Sequence, residues 1–573
     1  MALPCIHPAD ASIRAVGVLH RGARAAIEFA GAATFADGSG PALARPSIDI
    51  AGVRHELSDV PIAWERALGW IPTFTCTVAG LVLRGTIFAP YGRDADVSGA
   101  VYALSIENRG TTEVAVDVGL SGTLGHRQLR VRTPRAFEDA NQVALGTSGA
   151  VLLEGASLPG LVALAIVADG AASSSVENGA YMLRRSIQVA AGGREQVAFY
   201  LAVGPERDGA EATAGVMRRR GWRELLSSTR DALQRLEQST GHEAVDRLIN
   251  RNLLFAYFYA VGRALDDAQY YVVRTRAPWN GHGVTVRDWE ALMWTVPAVQ
   301  LADPALAREL LLRMCELHGY APGRGVHYLD GTLFEPGFVL EGVAGYALAT
   351  ERYIRDTGDD RVVDEPALAD TLYLSAEDLG ARKDKRVPLF STEVSPSGLP
   401  AAHPFTLHAN AVVAQALDIL RRTLDEETSR GLQDPDAVRA AINRHFVVES
   451  AGRSSYASAV DLAGATSMID DPAASTFWLP IYEAVARQDS IYRRTVKAID
   501  VTPRALVQQC ARLVGPDATA ILQWLRRAPL DGGCAAEFVD DDGRASGNGG
   551  DASLSGLLAW GVWYAINALG ERP

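Results

Sequence analysis

The chain has 573 residues, a formal net charge of −13 and a hydrophobic fraction of 48%, and this ordinary globular composition excludes wholesale disorder and fibrous repeats. Its length corresponds to three or four average domains or to two large ones. An acidic surface repels phosphate backbones, so we expect no nucleic-acid partner. The 5 cysteines include no CxxC pair and indicate neither a disulfide framework nor a zinc site.

Targeting and cofactor signals are missing from the sequence. No window approaches the ~18–20 uninterrupted apolar residues of a membrane helix, and the start MALPCIHPADASIR lacks the basic and apolar regions of a secretory signal. The GxSxG, HExxH, P-loop and GxGxxG fingerprints are not found, and no two histidines have metal-ligand spacing. We therefore expect a cytoplasmic protein with no membrane partner, no cofactor and no metal, and we leave open whether it forms a homo-oligomer.

The first two hundred residues carry the pattern of β-strands. Short apolar or alternating runs are bounded by turn-forming residues, as in LVLRGTIFA (81–89), AVYALSIEN (100–108) and QVAFYLAVG (196–204). Runs of this length between turns are typical of strands. Many of them in succession predict an N-terminal antiparallel β-sandwich over residues 1–206.

From residue 208 the apolar period becomes that of helices. We expect a linker helix over 207–240 and a helical catalytic domain over 241–573. The predicted helices of this domain are at 243–263, 288–301, 304–318, 338–356, 366–380, 407–424, 435–447, 472–487, 489–499, 503–513, 515–527 and 553–569. Twelve helices make six hairpins, which can close into a toroid. The predicted fold class is therefore multidomain β + α, a β-sandwich followed by an (α/α)6 barrel.

In such a toroid the loops after odd-numbered helices all open at one mouth. These are the long loops of the sequence, and long irregular loops in a compact domain are usually functional. They are rich in the carboxylates that hydrogen-bond sugar hydroxyls and in the aromatic rings that pack on the apolar sugar face. The candidate residues in these loops and at the helix starts beside them are Trp279, Arg287, Asp288, Tyr328, Glu335, Glu393, His408 and Glu537.

Four segments add a resemblance to known enzymes. They are APWNGHGVTVRDWEALMW (277–294), FEPGFVLEGVAGYALATERYIRDTGD (334–359), PLFSTEVSPSGLPAAHPFTLHANAVVAQAL (388–417) and GCAAEFVDDDGRASGNGGDASLSGLLAW (533–560). In this order they resemble segments of (α/α)6-barrel glycosidases with an N-terminal β-sandwich. This group includes glucoamylases, glycogen-debranching amylo-1,6-glucosidases and inverting exo-α-mannosidases.

The resemblance implies a role for each matching residue. Arg287 and Asp288 stand where the family grips the terminal sugar. Either Glu335 or Glu341 corresponds to its substrate-binding acid, and Asn410 to its helix-6 asparagine. Glu393 stands in the place of the general acid and Glu537 in that of the general base. The debranching and mannosidase patterns usually have Asp as the acid, so Glu393 departs from them by one methylene.

The residues and the resemblance together imply an inverting exo-acting glycoside hydrolase with a saccharide or glycoside substrate. An inverting pair of carboxyls is separated by roughly 6.5–9.5 Å, which leaves room for the attacking water. We expect partial burial against Phe390 and Phe405 to keep the Glu393 acid protonated. Two alternatives remain open: a glycoside phosphorylase on the same architecture, and a carbohydrate-binding scaffold without catalysis.

Overall fold

The computed structural model describes the backbone of five short strands within residues 1–43 and then residues 44–573, except for 93–96, 124–140, 156–162, 205, 264–268, 278–279, 281–284, 451, 502–503, 547–548 and 572–573. The chain divides into two compact units, Met1–Glu237 with Ala277–Gly281, and Gln238–Arg276 with His282–Pro573. Within the described part of the chain, no helix combines the length and the apolarity that crossing a membrane requires.

The first unit is mainly antiparallel β-sheet. Its strands are β1 (Ala2–Leu3), β2 (Ala15–His20), β3 (Ala23–Glu28), β4 (Thr34–Phe35), β5 (Gly38–Ser39), β6 (Arg45–Ile50), β7 (Val53–Glu56), β8 (Ala63–Ala67), β9 (Ile71–Val78), β10 (Leu81–Phe88), β11 (Gly99–Asn108), β12 (Val114–Gly122), β13 (Asn141–Leu145), β14 (Val151–Gly155), β15 (Ala163–Ala168), β16 (Ser173–Glu177), β17 (Ala180–Val189) and β18 (Arg194–Gly204). The largest sheet has the order β13-β14-β15-β18-β11-β10-β9-β8, and the next has the order β16-β17-β12-β6-β7.

One buried apolar cluster joins these two sheets. Phe74, Leu104 and Phe199 contribute to it from the eight-stranded sheet, and Val118 and Leu183 from the five-stranded sheet. The central strand β11 is buried along nearly its whole length, and helix α1 (Arg207–Arg220) packs against β15 and β18 of the same sheet. The apolar runs of β11 and β18 are therefore strands that bury both of their faces along most of their length.

The sequence predicts one linker helix over 207–240, but the structure has two helices there, α1 and α2 (Trp222–Leu236). Both helices belong to the first unit, which continues to residue 237. The second unit contains α3 (Glu243–Tyr259), α4 (Asp288–Glu290), a π-helical turn (Ala291–Thr295), α5 (Val296–Ala302), α6 (Pro304–His318), α7 (Leu340–Thr357), α8 (Pro366–Arg382), α9 (Leu407–Thr423), α10 (Glu426–Gly431), α11 (Pro435–His445), α12 (Ser490–Ala498), α13 (Leu506–Arg512), α14 (Ala518–Leu525) and α15 (Ala552–Asn567). Short 3₁₀ segments lie at Pro472–Ala474 and Thr476–Tyr482.

The short strands of this unit lie in its loops. They are β19 (Val261–Arg263), β20 (Tyr270–Val272), β21 (Thr285–Val286), β22 (Val326–Tyr328), β23 (Leu333–Glu335), β24 (Phe405–Thr406), β25 (Val447–Ser450), β26 (Arg453–Tyr456), β27 (Ala459–Val460), β28 (Thr466–Ser467), β29 (Arg504–Ala505) and β30 (Phe538–Val539).

Six helical elements of the second unit contact one another in a closed circuit. The π-helical turn packs on α7, α7 on α9, α9 on Thr476–Tyr482, this segment on α13, α13 on α15, and α15 on the π-helical turn again. The helices α7, α9 and α15 are buried on almost every side, as expected for helices surrounded by others. The first and last helices, α3 and α15, also pack together.

The predicted helix at 472–487 is wrong in type and in length. The segment forms two 3₁₀ turns and ends at Tyr482, where Glu483 has a φ of 54°. Pro480 lies inside the second turn, and a proline cannot donate the backbone hydrogen bond that continues a helix. The short helix α10, between the predicted helices at 407–424 and 435–447, is a further element that the sequence pattern does not predict.

Asp303 caps the N-terminus of α6, and its substitution measures how much this cap contributes to the stability of the protein. The Asp303 side chain accepts from the Leu306 amide at 3.0 Å and from the Tyr257 hydroxyl at 3.1 Å. We expect Asp303→Ala to lower the free energy of unfolding by about 1 kcal/mol, because an amide of the first turn loses its acceptor. Chemical denaturation measures this loss. Asp370→Ala, at an exposed position inside α8, is the matched control, and an equal loss in both variants would contradict the role of the cap.

Candidate active site

Three loops of the second unit enclose a cavity of about 310 Å³. Arg287 and Asp288 line it from the start of α4, and Glu335 lines it from β23. Residues from the segment 394–400, directly after Glu393, form another wall. The structure thus brings together three of the predicted binding residues and the loop that carries the predicted acid, whereas Glu393 and Glu537 themselves are not among the residues that line this cavity.

Asp288 is the buried carboxylate of this cavity. Its Oδ2 atom accepts from the Gly323 amide at 2.7 Å, while its Oδ1 atom has no hydrogen-bond partner among the described residues. A Cβ atom on Gly342 would lie 2.9 Å from the Gly323 Cα atom, so only glycine lets α7 approach this loop so closely. Burial raises the pKa of Asp288 to about 7, although the Gly323 amide and the nearby Tyr346 hydroxyl act in the opposite direction.

Arg287 is not paired with Asp288. It occupies the N-cap position of α4 without a side-chain cap, and its guanidinium donates to the Pro396 carbonyl at 3.1 Å. The same group lies 3.8 Å from the Glu290 carboxylate. A π-helical turn begins directly after Glu290, and such turns are frequent at functional sites. Arg287 therefore ties the wall of the cavity at 394–400 to the start of α4.

A second buried arginine connects loops that are far apart in sequence. Arg274 donates to Asp551 at 2.9 and 3.0 Å and lies 3.7 Å from Glu290. Burial by itself lowers the pKa of Arg274, but Asp551 and Glu290 more than offset this, and its pKa lies above the ordinary value. Asp551 also caps α15 by accepting from the Leu554 amide at 3.0 Å. We call Arg274, Glu290 and Asp551 the arginine network.

Glu537 lies within the electrostatic range of this network and is partly buried. Burial raises its pKa, and the charges of Asp551 and Glu290 act in the same direction, while Arg274 opposes them. Its backbone carbonyl accepts from the Leu506 amide at 3.0 Å, which fixes the chain at this point. The predicted base is therefore a partly desolvated carboxyl beside other carboxylates.

The expected burial of Glu393 is wrong. Its side chain is 55% exposed and pairs with Arg382 at 2.7 Å, whereas Phe390 and Phe405 are buried. Arg382 is the last residue of α8, and its guanidinium lies over the Phe338 ring, 3.7 Å from the ring centroid. Glu393 therefore belongs to a solvated ion pair, an arrangement that contributes little to stability.

Glu335 and Glu341 have different surroundings. Glu335 lines the cavity, whereas Glu341 is 1% exposed and lies 2.9 Å from Nδ1 of His408. His408 is itself buried and packs edge-on against Trp289. Of the two acids, the structure therefore places Glu335 at the cavity, and it places Glu341 and His408 inside the helical core.

Of the three remaining candidate residues, Asn410 and Tyr328 contact neighbouring protein groups, and Trp279 is not among the residues that the structure describes. Asn410 is fully buried, accepts from the Phe390 amide at 2.8 Å and donates to the carbonyls of Phe390 and Thr406. Both of its N–H donors are therefore engaged in holding the loop before Glu393. Tyr328 packs against Phe334 at 5.0 Å between ring centroids.

One cluster is not predicted by the sequence at all. Asp288, His318 and His327 each place a possible ligand atom within 4.8 Å of the others, and all three side chains are buried. His318 ends α6 and His327 lies in β22. The spacing of these two histidines matches no metal motif, and the only available signal is that His318 precedes one of the long loops and His327 lies within it.

The comparisons with known proteins bear on the fold. No protein-family model and no curated protein matches the chain. Among solved structures it is similar to a bacterial glucoamylase complexed with acarbose, with a TM-score of 0.63 and 11% identity over 99% of this chain and 94% of that one. A putative kojibiose phosphorylase from the human microbiome gives a TM-score of 0.58 and 11% identity over 95% and 80% of the two chains.

A metal-independent α-mannosidase from Streptococcus pneumoniae, in a complex with α-1,6-mannobiose, gives a TM-score of 0.49 and 14% identity over 61% of this chain and 98% of that one. All three are six-hairpin (α/α)6-barrel proteins of the glycosidase type. The matches with TM-scores of 0.63 and 0.58 confirm, at the level of the fold, the resemblance predicted from the sequence.

The arginine network should dominate the stability of this end of the unit. Asp551→Asn keeps an oxygen to cap α15 but removes a charge from beside Arg274, whose side chain is only 13% exposed. We expect the free energy of unfolding to fall by about 3 kcal/mol, because a buried charge is left without its main partner. Calorimetry or urea unfolding measures this change.

The matched control is Asp542→Asn, which removes an exposed ion pair with Arg544 at 2.6 Å and should leave unfolding nearly unchanged. Equal effects of the two substitutions would contradict the importance of the buried network.

Proposed function

We propose that the protein is an inverting, exo-acting glycoside hydrolase whose catalytic site lies at one mouth of an (α/α)6 toroid that follows a β-sandwich. The observation that carries the proposal is the cavity lined by Arg287, Asp288 and Glu335. The sequence alone predicts each of these three residues as a sugar ligand. The fold shared with a glucoamylase supports the same reaction class.

The side chains around the cavity suit the binding of a terminal sugar. The carboxyl groups of Asp288 and Glu335 belong to the cavity wall, and carboxyl oxygens hydrogen-bond sugar hydroxyls. A cavity of about 310 Å³ has room for one monosaccharide ring and not for a long chain. This size favours exo action, in which only the end of the substrate is enclosed.

Glu537 and Glu393 are the proposed base and acid. Glu537 would deprotonate a water that attacks the anomeric carbon, and the charges of Asp551 and Glu290 favour its uptake of that proton. Glu393 would give its proton to the departing oxygen. Because Glu393 pairs with Arg382, substrate binding must displace this arginine before Glu393 can act.

The phosphorylase alternative has one observation in its favour, the fold shared with a putative kojibiose phosphorylase over 95% of this chain. In that reaction inorganic phosphate replaces the attacking water. Turnover of disaccharides with and without phosphate separates the two enzymes. Binding of sugars without any turnover would favour a carbohydrate-binding scaffold instead.

The catalytic pair is tested by amide substitutions. Glu537→Gln should lower kcat by about 10²–10⁴-fold on every substrate, since nothing deprotonates the water. Glu393→Gln should lose activity on natural disaccharides by a similar factor but keep more activity on activated aryl glycosides, whose leaving groups need little protonation. Glu377→Gln, an exposed carboxylate in α8, is the control.

Losses below tenfold in both variants would remove the pair from the mechanism. Proton NMR within minutes of mixing should first reveal the inverted anomer. Initial appearance of the retained anomer would require carboxyls only about 5–5.5 Å apart and would contradict the inverting assignment.

The pH profile tests the link between Glu537 and its neighbours. A base must be ionised, so activity falls as the pH drops through its pKa, and this pKa is raised by burial and by nearby carboxylates. Glu290→Gln removes one of these charges and should move the acidic limb of the kcat/KM profile to lower pH. Asp542→Asn should leave the limb in place. A shift of the limb to higher pH in Glu290→Gln would contradict the assignment of Glu537 as base.

A further inference from the structure

We propose that Asp288, His318 and His327 form a binding site for a divalent transition-metal ion of the zinc type. This proposal is based on the geometry of these three side chains and does not depend on the proposed glycosidase activity. It extends from the end of α6 to β22 and the start of α4.

Three buried polar atoms in this cluster have no hydrogen-bond partner among the described residues. They are Nδ1 of His318, Nδ1 of His327 and Oδ1 of Asp288. The three side chains are 1%, 1% and 3% exposed, respectively. Leaving one buried polar group unsatisfied is unfavourable, and three in one place call for a common partner. A cation that accepts lone pairs from all three would be such a partner.

The separations are close to those of three protein ligands on a tetrahedral ion, whose fourth position is left for water. With ligand bonds of about 2.0–2.1 Å, two histidines on one tetrahedral zinc ion have ring centroids roughly 5 Å apart. The centroids of His318 and His327 are 5.3 Å apart. The ligand atoms of the three residues lie within 4.8 Å of one another, and on a tetrahedral ion they would approach to roughly 3.3 Å.

The donor set selects the class of metal. Two imidazole nitrogens and one carboxylate oxygen favour Zn²⁺ and related transition metals, whereas Mg²⁺ and Ca²⁺ prefer oxygen ligands alone. Neutral imidazole and ionised carboxylate are the forms in which these side chains bind such ions.

The position of Asp288 gives the site a consequence for the cavity. Asp288 lines the cavity, and its Oδ2 atom is engaged by the Gly323 amide. A metal on Oδ1 would engage the same carboxyl group that the proposed function assigns to a sugar hydroxyl. If that function holds, metal and saccharide should compete for Asp288.

The test measures metal binding to the full-length chain after chelator treatment and dialysis. Titration with Zn²⁺ should give one tight site per chain, and Co²⁺ should give the intense visible absorption of tetrahedral coordination. Mg²⁺ and Ca²⁺ should not displace Zn²⁺. His327→Ala and His318→Gln should each weaken Zn²⁺ binding by at least about 100-fold. The control His445→Ala, at the last residue of α11 as His318 is of α6, should bind like the unmodified chain.

X-ray absorption of the zinc-loaded, unmodified chain provides a measurement that needs no variant to fold. It should reveal two imidazole ligands and oxygen at about 2.0–2.1 Å. Failure of the folded chain to bind Zn²⁺ stoichiometrically would overturn the proposal. Unchanged affinity in both histidine variants, or a spectrum without imidazole ligands, would overturn it equally.

Discussion

The arrangement of the loops at one end of the helical unit depends on the positive charge of one buried guanidinium, that of Arg274. Arg274 lies 277 positions before Asp551 in sequence, and its side chain holds that residue and Glu290 at the same end of the unit. Without this charge, two buried carboxylates would face each other with no compensation, which is strongly unfavourable at low dielectric. The first long loop, the start of the helical segment that follows it and the last helix are thereby held at one place.

The charges of the same three residues also shift the pKa of Glu537, the proposed general base. Glu537 lies close enough to Asp551 and Glu290 for their charges to oppose its ionisation, while Arg274 limits the effect. A general base works best when its pKa approaches the operating pH. The same residues therefore contribute to the stability of the protein and to the pKa of the proposed base. A substitution that changes one of these properties also changes the other.

Local signals in the sequence predict many of the helices well. The helix predicted at 304–318 is found as Pro304–His318, because an aspartate cap and a first-turn proline mark its start and act only on neighbouring residues. The prediction for 472–487 fails despite a similar Asp-Pro start, since Pro480 interrupts the helix that its apolar period suggests. Order along the chain also places Arg287, Asp288 and Glu335 at one cavity, because alternate loops of hairpins share an end.

The direction of a side chain cannot be predicted in this way. The sequence suggests burial of Glu393 against two phenylalanines, but the side chain turns outward to Arg382, a partner whose position depends on where α8 ends. His318 and His327 meet Asp288 only because α6, β22 and α4 converge, and no spacing in the sequence encodes that convergence.

Asp288 is the point at which these separate features meet. Gly342 lets α7 approach the backbone of Gly323 closely beside this residue. The Gly323 amide engages one carboxyl oxygen of Asp288, and the other oxygen is buried without a hydrogen-bond partner among the described residues. The cavity lies beside this residue and the two buried histidines pack near it. A hydroxyl group and a metal ion cannot both satisfy that oxygen fully. Which of them occupies it is then decided by their relative affinities and concentrations, through the same mass action that governs any pair of competing ligands.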